Sequence, residues 1–192
     1  MERNSQDSHG YKLESQIREA YGRVTYTQTC HEKTISRLLK TNNCIKLWQM
    51  GLSAITTSGF VFAIFSEDKL ANVLGATVSL ILLILNSYVK NFNLIEDVQE
   101  HKAASDCLWK IREEYVSLLT DFDILEKEII MKKRDELQER TSKVYSTSPR
   151  TDKKSYVEAQ KALKNEEEQT FSENEIDIML PNSIRRINRN LK

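Results

Sequence analysis

The sequence predicts an all-α membrane protein, in which a two-helix transmembrane hairpin is flanked by long cytoplasmic helices. Residues 47–65 and 70–89 carry no charged side chain, and only residues 66–69 separate them. A helix of about 20 residues rises about 30 Å, the hydrocarbon thickness of a bilayer. Inside hydrocarbon the backbone must satisfy its own hydrogen bonds, so both stretches should be helical and the short link should reverse the chain. Five glycines and two prolines in 192 residues also favour long helices.

The alternative is a buried helical hairpin in a soluble protein. Gln49, Ser53 and Thr56 make this alternative worth weighing, because they lower the hydrophobicity of the first stretch. A core helix of a soluble protein normally carries charged residues on its solvent side, however, and neither stretch has any. The pattern therefore favours the membrane.

Charge predicts the orientation of the hairpin. The basic residues that flank it are Lys33, Arg37, Lys40, Lys46, Lys90 and Lys102. The connecting loop has only Lys69, beside Glu67 and Asp68. Because basic residues next to membrane segments stay in the cytoplasm, both termini should be cytoplasmic and the loop should lie outside.

The flanking sequence divides into three further parts. Residues 1–46 have Leu13, Ile17, Ala20 and Val24 at helical spacing, which predicts one or two amphipathic cytoplasmic helices. Residues 90–145 carry a seven-residue repeat, which predicts one long helix that packs on another helix, either within the chain or in a second copy. The residues of this candidate assembly seam are Leu108, Ile111, Tyr115, Leu118, Phe122, Leu125 and Ile129.

Residues 146–192 are predicted to form a helical tail. Pro149 interrupts the preceding pattern, and Asp152 can cap a new helix that carries Tyr156, Ala159 and Leu163. Ser172 and Glu175 have the spacing of a capping box, which predicts a short helix from Ile176 to Leu180 that ends before Pro181.

The composition gives little support to an enzyme. Basic and acidic residues number 28 each, and the glycines never form a phosphate-binding loop. No pattern of catalytic, cofactor-binding or metal-binding residues is present, so we expect no cofactor and no direct small-molecule substrate. Cys30, His31 and Cys44 resemble part of a zinc site, but a fourth ligand at sensible spacing is missing.

The polar residues of the hairpin are the candidate functional residues, because an amide in hydrocarbon must find a partner or water. Asn72, Ser79 and Asn86 recur every seven residues, and Gln49, Ser53 and Thr56 share a face of the first stretch. These six are candidate pore-lining residues. Alternatively, small residues allow close helix packing, and the candidates for that are Gly59, Ala63, Ala71 and Gly75. Two helices cannot enclose a channel, so a pore requires several copies.

The order of these parts resembles the SLATT family, small two-transmembrane effectors of bacterial conflict systems. The resemblance runs from about Val24 to Arg186 and rests on the hairpin, on LWKIREEYVSLLTDF (108–122) and on TFSENEIDIMLP (170–181). The last two segments look most like the subfamily encoded beside reverse transcriptases.

The resemblance implies a function but supplies no catalytic residues. It implies a homo-oligomeric, pore-forming or membrane-disrupting effector of antiphage defence in the bacterial inner membrane, which kills or arrests the infected cell (abortive infection). It also implies a trigger from a partner encoded nearby, such as a reverse transcriptase or a nucleotide-signalling enzyme. The competing hypothesis is a non-conducting anchor or scaffold for such a defence enzyme.

Overall fold

A computed structural model describes six helices and no strand in residues 2–65, 69–91, 93–181 and 185. Side chains are described for residues 9–57, 69–70, 72–91, 93–181 and 185. The helices are α1 (Glu2–Phe65), α2 (Lys69–Asn91), α3 (Leu94–Thr120), α4 (Lys127–Thr147), α5 (Lys153–Lys164) and α6 (Glu173–Met179). The all-helical prediction agrees with this architecture.

Helix α1 extends through residue 46 without a break and continues to Phe65. The prediction of one or two helices ahead of the first apolar stretch is thereby narrowed to one. Leu13, Ile17, Ala20 and Val24 are all buried, and they form one side of the hydrophobic core. Their spacing places them on a single stripe of α1, as the periodicity predicted.

Helices α3 and α4 supply the rest of the core. Four residues of α3 are buried in the same core as the α1 stripe, and they pack on Ile130 and Leu137 of α4. They are Leu108, Ile111, Tyr115 and Leu118. The first half of the seven-residue repeat thus packs within one chain. This burial favours the intramolecular alternative for these four positions.

The predicted single helix over residues 90–145 is wrong, because α3 ends at Thr120 and α4 begins at Lys127. Thr120, Asp121 and Asp123 lie at the break, and such side chains are poor helix formers because they compete for backbone hydrogen bonds. The turn closes when the Ile124 and Leu125 N–H groups donate to the Asp121 carbonyl at 3.0 and 3.1 Å.

The break displaces the second half of the repeat. Phe122 and Leu125 lie in the turn and are only partly buried against the core, and Ile129 is 45% exposed. Its neighbour Ile130, which the repeat left out, is 1% exposed and belongs to the core. Residues 122, 125 and 129 therefore do not continue the stripe formed by Leu108 to Leu118.

The start signals of the last two helices are confirmed. Asp152 accepts a hydrogen bond from the Ser155 N–H at 2.8 Å and caps α5. Ser172 and Glu175 form the reciprocal capping box of α6, in which the Ser172 N–H donates to the Glu175 carboxylate at 2.7 Å. Helix α6 starts at Glu173, three residues earlier than predicted, and ends one residue before Leu180.

Helix α2 folds back along the apolar end of α1. The Gln49 side chain donates to the Asn86 side-chain oxygen at 2.8 Å. Gln49 lies 16 residues before the end of α1, and Asn86 lies 17 residues after the start of α2, so the two helices run antiparallel. The two helices thus lie side by side at this end of the molecule, and residues 66–68 of the predicted loop lie outside the described part of the chain.

Among the described residues, one segment is long and apolar enough to cross a membrane. It begins at Asn72 in α2, and none of its most apolar part is buried within the protein. That exposure differs from the burial typical of a soluble core helix. The structure thus supports one of the two predicted spans. The apolar end of α1 includes residues 58–65, whose side chains lie outside the description.

Candidate functional site

Buried polar side chains gather where α1, α3 and α5 meet, between the hydrophobic core and the hairpin. We call this group the polar layer. Its members are all buried, and they are Gln28, Thr29, His31, Thr34, Asn42, His101, Ser105 and Ser155. Because α1 continues from this layer directly into its apolar end, the layer lies on the path between the two parts of the molecule.

Two histidines form the centre of the polar layer. The Nδ1 atoms of His31 on α1 and His101 on α3 are 2.8 Å apart, and the ring centroids are 4.9 Å apart. One Nδ1 must therefore carry the proton and donate to the other. Burial, together with the neighbouring His101, lowers the pKa of His31 from 6.5 to about 4. The pKa of His101 is also lowered, mainly by burial, so the pair is neutral at pH 7.

Hydroxyl and ionic contacts join α5 to the same layer. The Thr34 and Ser155 hydroxyls are 2.6 Å apart, and the Ser155 hydroxyl lies 2.8 Å from Asp152. Arg37 of α1 donates to the other Asp152 oxygen at 2.7 Å. The Ser155 N–H, with help from the Ser155 hydroxyl and Arg37, lowers the pKa of Asp152 to about 2. Asp152 thus ties the start of α5 to α1 while it caps α5.

The segment between α5 and α6 closes over α1 and α3. Glu168 accepts hydrogen bonds from Lys33 at 2.8 and 2.9 Å, and Gln169 donates to the Thr29 hydroxyl at 3.1 Å. Arg112 of α3 donates to the Gln169 side chain. Glu167 and Gln169 have φ angles of 52° and 70°, which are uncommon for residues other than glycine. These contacts hold the segment in that conformation.

The cysteines do not gather around this histidine pair. Cys30 is buried, whereas Cys44 and Cys107 are exposed. Burial raises the pKa of the Cys30 thiol to about 11, which keeps it protonated and unreactive. Among the described residues, no group of three or more His, Cys, Asp and Glu side chains could hold a metal ion.

The predicted polar stripe divides between two environments. Gln49 and Thr56 are half-buried on α1, and Gln49 is paired with Asn86 across the hairpin. Thr56 donates to the Leu52 carbonyl of its own helix at 2.7 Å. Ser53, Asn72, Ser79 and Asn86 are exposed. The half-buried side of α2 consists of Gly75, Val78, Leu82, Leu85 and Val89. Asn72 and Ser79 lie outside this half-buried side, whereas Asn86 reaches α1 through its hydrogen bond with Gln49.

The predicted packing residues are only partly described. A Cβ atom added at Gly75 would meet no atom within 4 Å, so the contact within this hairpin does not require a glycine there. The structure does not describe the surroundings of Gly59, Ala63 and Ala71. Close packing between copies stays a prediction for all four positions.

Sequence reasoning missed the histidine pair, although a signal was present. His31 lies seven residues after Val24, and His101 lies seven residues before Leu108. Both histidines thus extend the core-facing stripes of their helices by two turns. Because 70 residues separate them, neither the sequence distance nor a local motif pointed to their contact.

The chain matches the family model described as SMODS and SLOG-associating 2TM effector domain family 4 over residues 13–175. Comparison with curated proteins and with solved structures gave no match. The family match agrees with the exposed apolar segment that begins in α2, and it indicates a membrane effector of conflict systems. Effector domains of this family are not known as enzymes. Because the match covers well over half of its length, the chain belongs to the SLATT family of two-transmembrane effectors.

Proposed function

We propose that several copies of this chain assemble in the bacterial inner membrane into a pore that stops growth of an infected cell. The exposure of Asn72 and Ser79 on α2, outside its contact with α1, carries this proposal. In a single copy within a bilayer, the Asn72 amide would face lipid, which is costly. In an assembly, the same side chains would face water or a neighbouring copy.

The proposed topology has both α1 and α2 crossing the membrane, with both termini in the cytoplasm. Helix α2 has 23 residues, and at about 1.5 Å per residue it is long enough to span about 30 Å of hydrocarbon. The antiparallel contact through Gln49 and Asn86 brings residues 47–65 of α1 alongside it. The basic residues at the open end of the hairpin support the orientation.

We further propose that a regulatory partner acts on the cytoplasmic helices. A pore that must stay closed until infection needs an input, and the polar layer connects α1 to both α3 and α5. Polar contacts can be exchanged for contacts with water or a partner at a smaller net cost than an apolar core. A partner that rearranges this layer would move α1, which continues into the hairpin. A reverse transcriptase or a nucleotide-signalling enzyme encoded nearby is the proposed partner.

Leakage from vesicles tests the pore. The purified chain is reconstituted into vesicles that contain a fluorescent dye, and release of the dye is compared between Asn72→Leu and the wild type. We expect Asn72→Leu to lower leakage and toxicity at equal protein level, because it removes the exposed amide without opposing insertion. Val73→Leu is the matched control, because Val73 is also exposed but apolar.

Two outcomes would contradict the proposal. If the wild type leaks and Asn72→Leu leaks as much as Val73→Leu and the wild type, the stripe is not the conducting surface. If the wild type, expressed together with its genomic neighbours during infection, neither collapses the membrane potential nor arrests growth, the chain is not a pore.

A non-conducting anchor is the second candidate function, and the Gln49–Asn86 hydrogen bond favours it. Two of the six candidate pore-lining side chains form a hydrogen bond with each other across the hairpin at 2.8 Å, which reduces their need for water. If the chain is an anchor, Asn86→Leu should weaken the contact between α1 and α2, and neither this variant nor the wild type should cause leakage. Copurification of a defence enzyme with membranes that remain sealed would favour this function over the pore.

A further inference from the structure

A groove with three tyrosines runs along α1, beside the end of α4 and the start of α5. Its main cavity has a volume of about 620 Å³. The side chains that line it include Arg23, Tyr26, Thr27, Tyr145 and Tyr156. Two smaller cavities continue it, and both include Tyr145. Ligand sites typically have volumes of about 300–1,000 Å³. We call this feature the tyrosine groove.

The aromatic rings of the groove are exposed in a way that packing does not explain. Tyr156 is 51% exposed and Tyr145 is 45% exposed, although both border a cavity. The rings of Tyr26 and Tyr156 lie 5.1 Å apart with a tilt of 32°, so Tyr156 rests on Tyr26. The Thr27 and Tyr145 hydroxyls are 3.2 Å apart across the groove. An exposed ring supported from behind offers a flat surface on which a planar group can stack.

Two arginines border the groove. Arg23 lines the main cavity together with Glu19, its ion-pair partner one turn earlier, and Arg150 lines the adjoining cavity that shares Thr27 and Tyr145. Both side chains of the Arg23–Glu19 pair are more than half exposed. An exposed pair of this kind is weak, so an oxyanion can compete with Glu19 for Arg23. Guanidinium groups bind phosphate through two parallel hydrogen bonds.

We propose that the tyrosine groove binds a nucleotide, with the base stacked on the tyrosines and the phosphate held by Arg23 and Arg150. Aromatic stacking accepts any base, and the arginines select for a negative charge. The nucleotide would be a ligand of the chain, without being a substrate. It could be free in solution or part of a single strand, since both offer the same base and phosphate.

The position of the groove argues against a lipid headgroup. Thr27 lies 20 residues before Leu47, where the apolar end of α1 begins. At about 1.5 Å per residue, the groove is about 30 Å along α1 from that point. This inference does not depend on the pore, because the site lies wholly on the cytoplasmic helices.

Binding to the full chain in detergent tests the proposal, with ATP and a ten-residue oligodeoxyadenylate as probes. We expect ATP to bind with a Kd below about 1 mM, and we expect Tyr156→Ala or Arg23→Gln to weaken it about tenfold or more. Tyr156→Phe, which keeps the ring, should retain binding. Tighter binding of the oligonucleotide than of ATP would identify a strand as the source, and the reverse would identify a free nucleotide.

Matched controls come from the same helix. Arg18 pairs with Glu14 as Arg23 pairs with Glu19, and Tyr11 is 74% exposed, but neither Arg18 nor Tyr11 lines the groove. Arg18→Gln and Tyr11→Ala should bind ATP as the wild type does. The proposal is overturned if neither probe binds, if tripolyphosphate binds as well as ATP, or if control and groove variants lose binding equally. None of these results depends on whether the chain conducts ions.

Discussion

Two imidazoles that share one proton make the α1–α3 contact sensitive to acid. His31 and His101 are 3% and 6% exposed, and their Nδ1 atoms are 2.8 Å apart. A first added proton can leave the hydrogen bond in place, but a second places hydrogens on both Nδ1 atoms and the bond is lost. Two charges would then face each other in a buried position. The charged groups around His101 are Asp97, Glu100, Arg37 and Asp152.

The histidine pair should make stability fall between pH 6.5 and pH 4. The folded-state pKa of His31 is about 4, below the ordinary 6.5, so the unfolded chain takes up the proton first as the pH falls. Stability from this residue is complete above pH 6.5 and is lost progressively towards pH 4. The loss is on the order of 3 kcal/mol. Thermal unfolding of the detergent-solubilised chain across this range measures it.

The control for this measurement is a histidine outside the pair. His31→Gln should reduce the pH dependence between pH 6.5 and pH 4, whereas His9→Gln, at an exposed position, should leave it unchanged. The low pKa of Asp152 acts below pH 4 and does not enter this window. Equal pH dependence in the wild type and in His31→Gln would show that the pair does not control it.

At the scale of elements, the core depends on where α3 ends and α4 begins. The turn at residues 121–126 shifts α4 so that Ile130, and not Ile129, enters the core. Leu13 and Ile17 of α1, from the opposite end of the chain, complete the same cluster. Helices α1, α3 and α4 therefore share one hydrophobic core that is formed within the chain.

Adjacent isoleucines allow a matched test of this packing. Ile130→Ala should destabilise the core of α1, α3 and α4 by about 2–5 kcal/mol, because it removes buried methyl groups and leaves a cavity. Ile129→Ala should cost less than about 1 kcal/mol, since its side chain is 45% exposed. Denaturant unfolding of the two variants measures both values. If Ile129→Ala lowered the free energy of unfolding more than Ile130→Ala does, the seven-residue repeat would continue into α4 and this packing would be wrong.

Local signals in the sequence predicted where two helices start. They could not predict contacts between residues far apart in the sequence. Asp152 and the Ser172–Glu175 pair act within one helical turn, so their spacing was sufficient to place two helix starts. The repeat from Leu108 to Ile129 continued through Asp121 because a change of partner helix does not interrupt hydrophobic periodicity. Likewise, the Gln49–Asn86 contact required the hairpin register, which composition alone does not give.

At the scale of the whole molecule, charge asymmetry predicts the side of the membrane on which the packed helices lie. Cys107 of α3 is exposed, and Ser66 belongs to the predicted outer loop. In a chain with Cys30 and Cys44 replaced by serine, Ser66→Cys should react with an impermeant maleimide added to intact spheroplasts. Cys107 should react only after the membrane is opened.

The same cysteines provide the control. Labelling of Cys107 in intact spheroplasts would place the cytoplasmic helices outside and contradict the orientation. Protection of Ser66→Cys in both intact and opened spheroplasts would contradict an exposed loop between two spans.

Helix α1 also has a mechanical consequence. Its 64 residues correspond to about 96 Å at 1.5 Å per residue, and residues 2–65 contain no proline at which the rod could bend sharply. His31 lies 34 residues, or about 51 Å, before Phe65. A tilt of α1 by about 5° around the histidines would therefore displace its apolar end by about 4 Å. Helix α1 can thus transmit a small rearrangement at the histidine pair to the apolar end as a rigid rod.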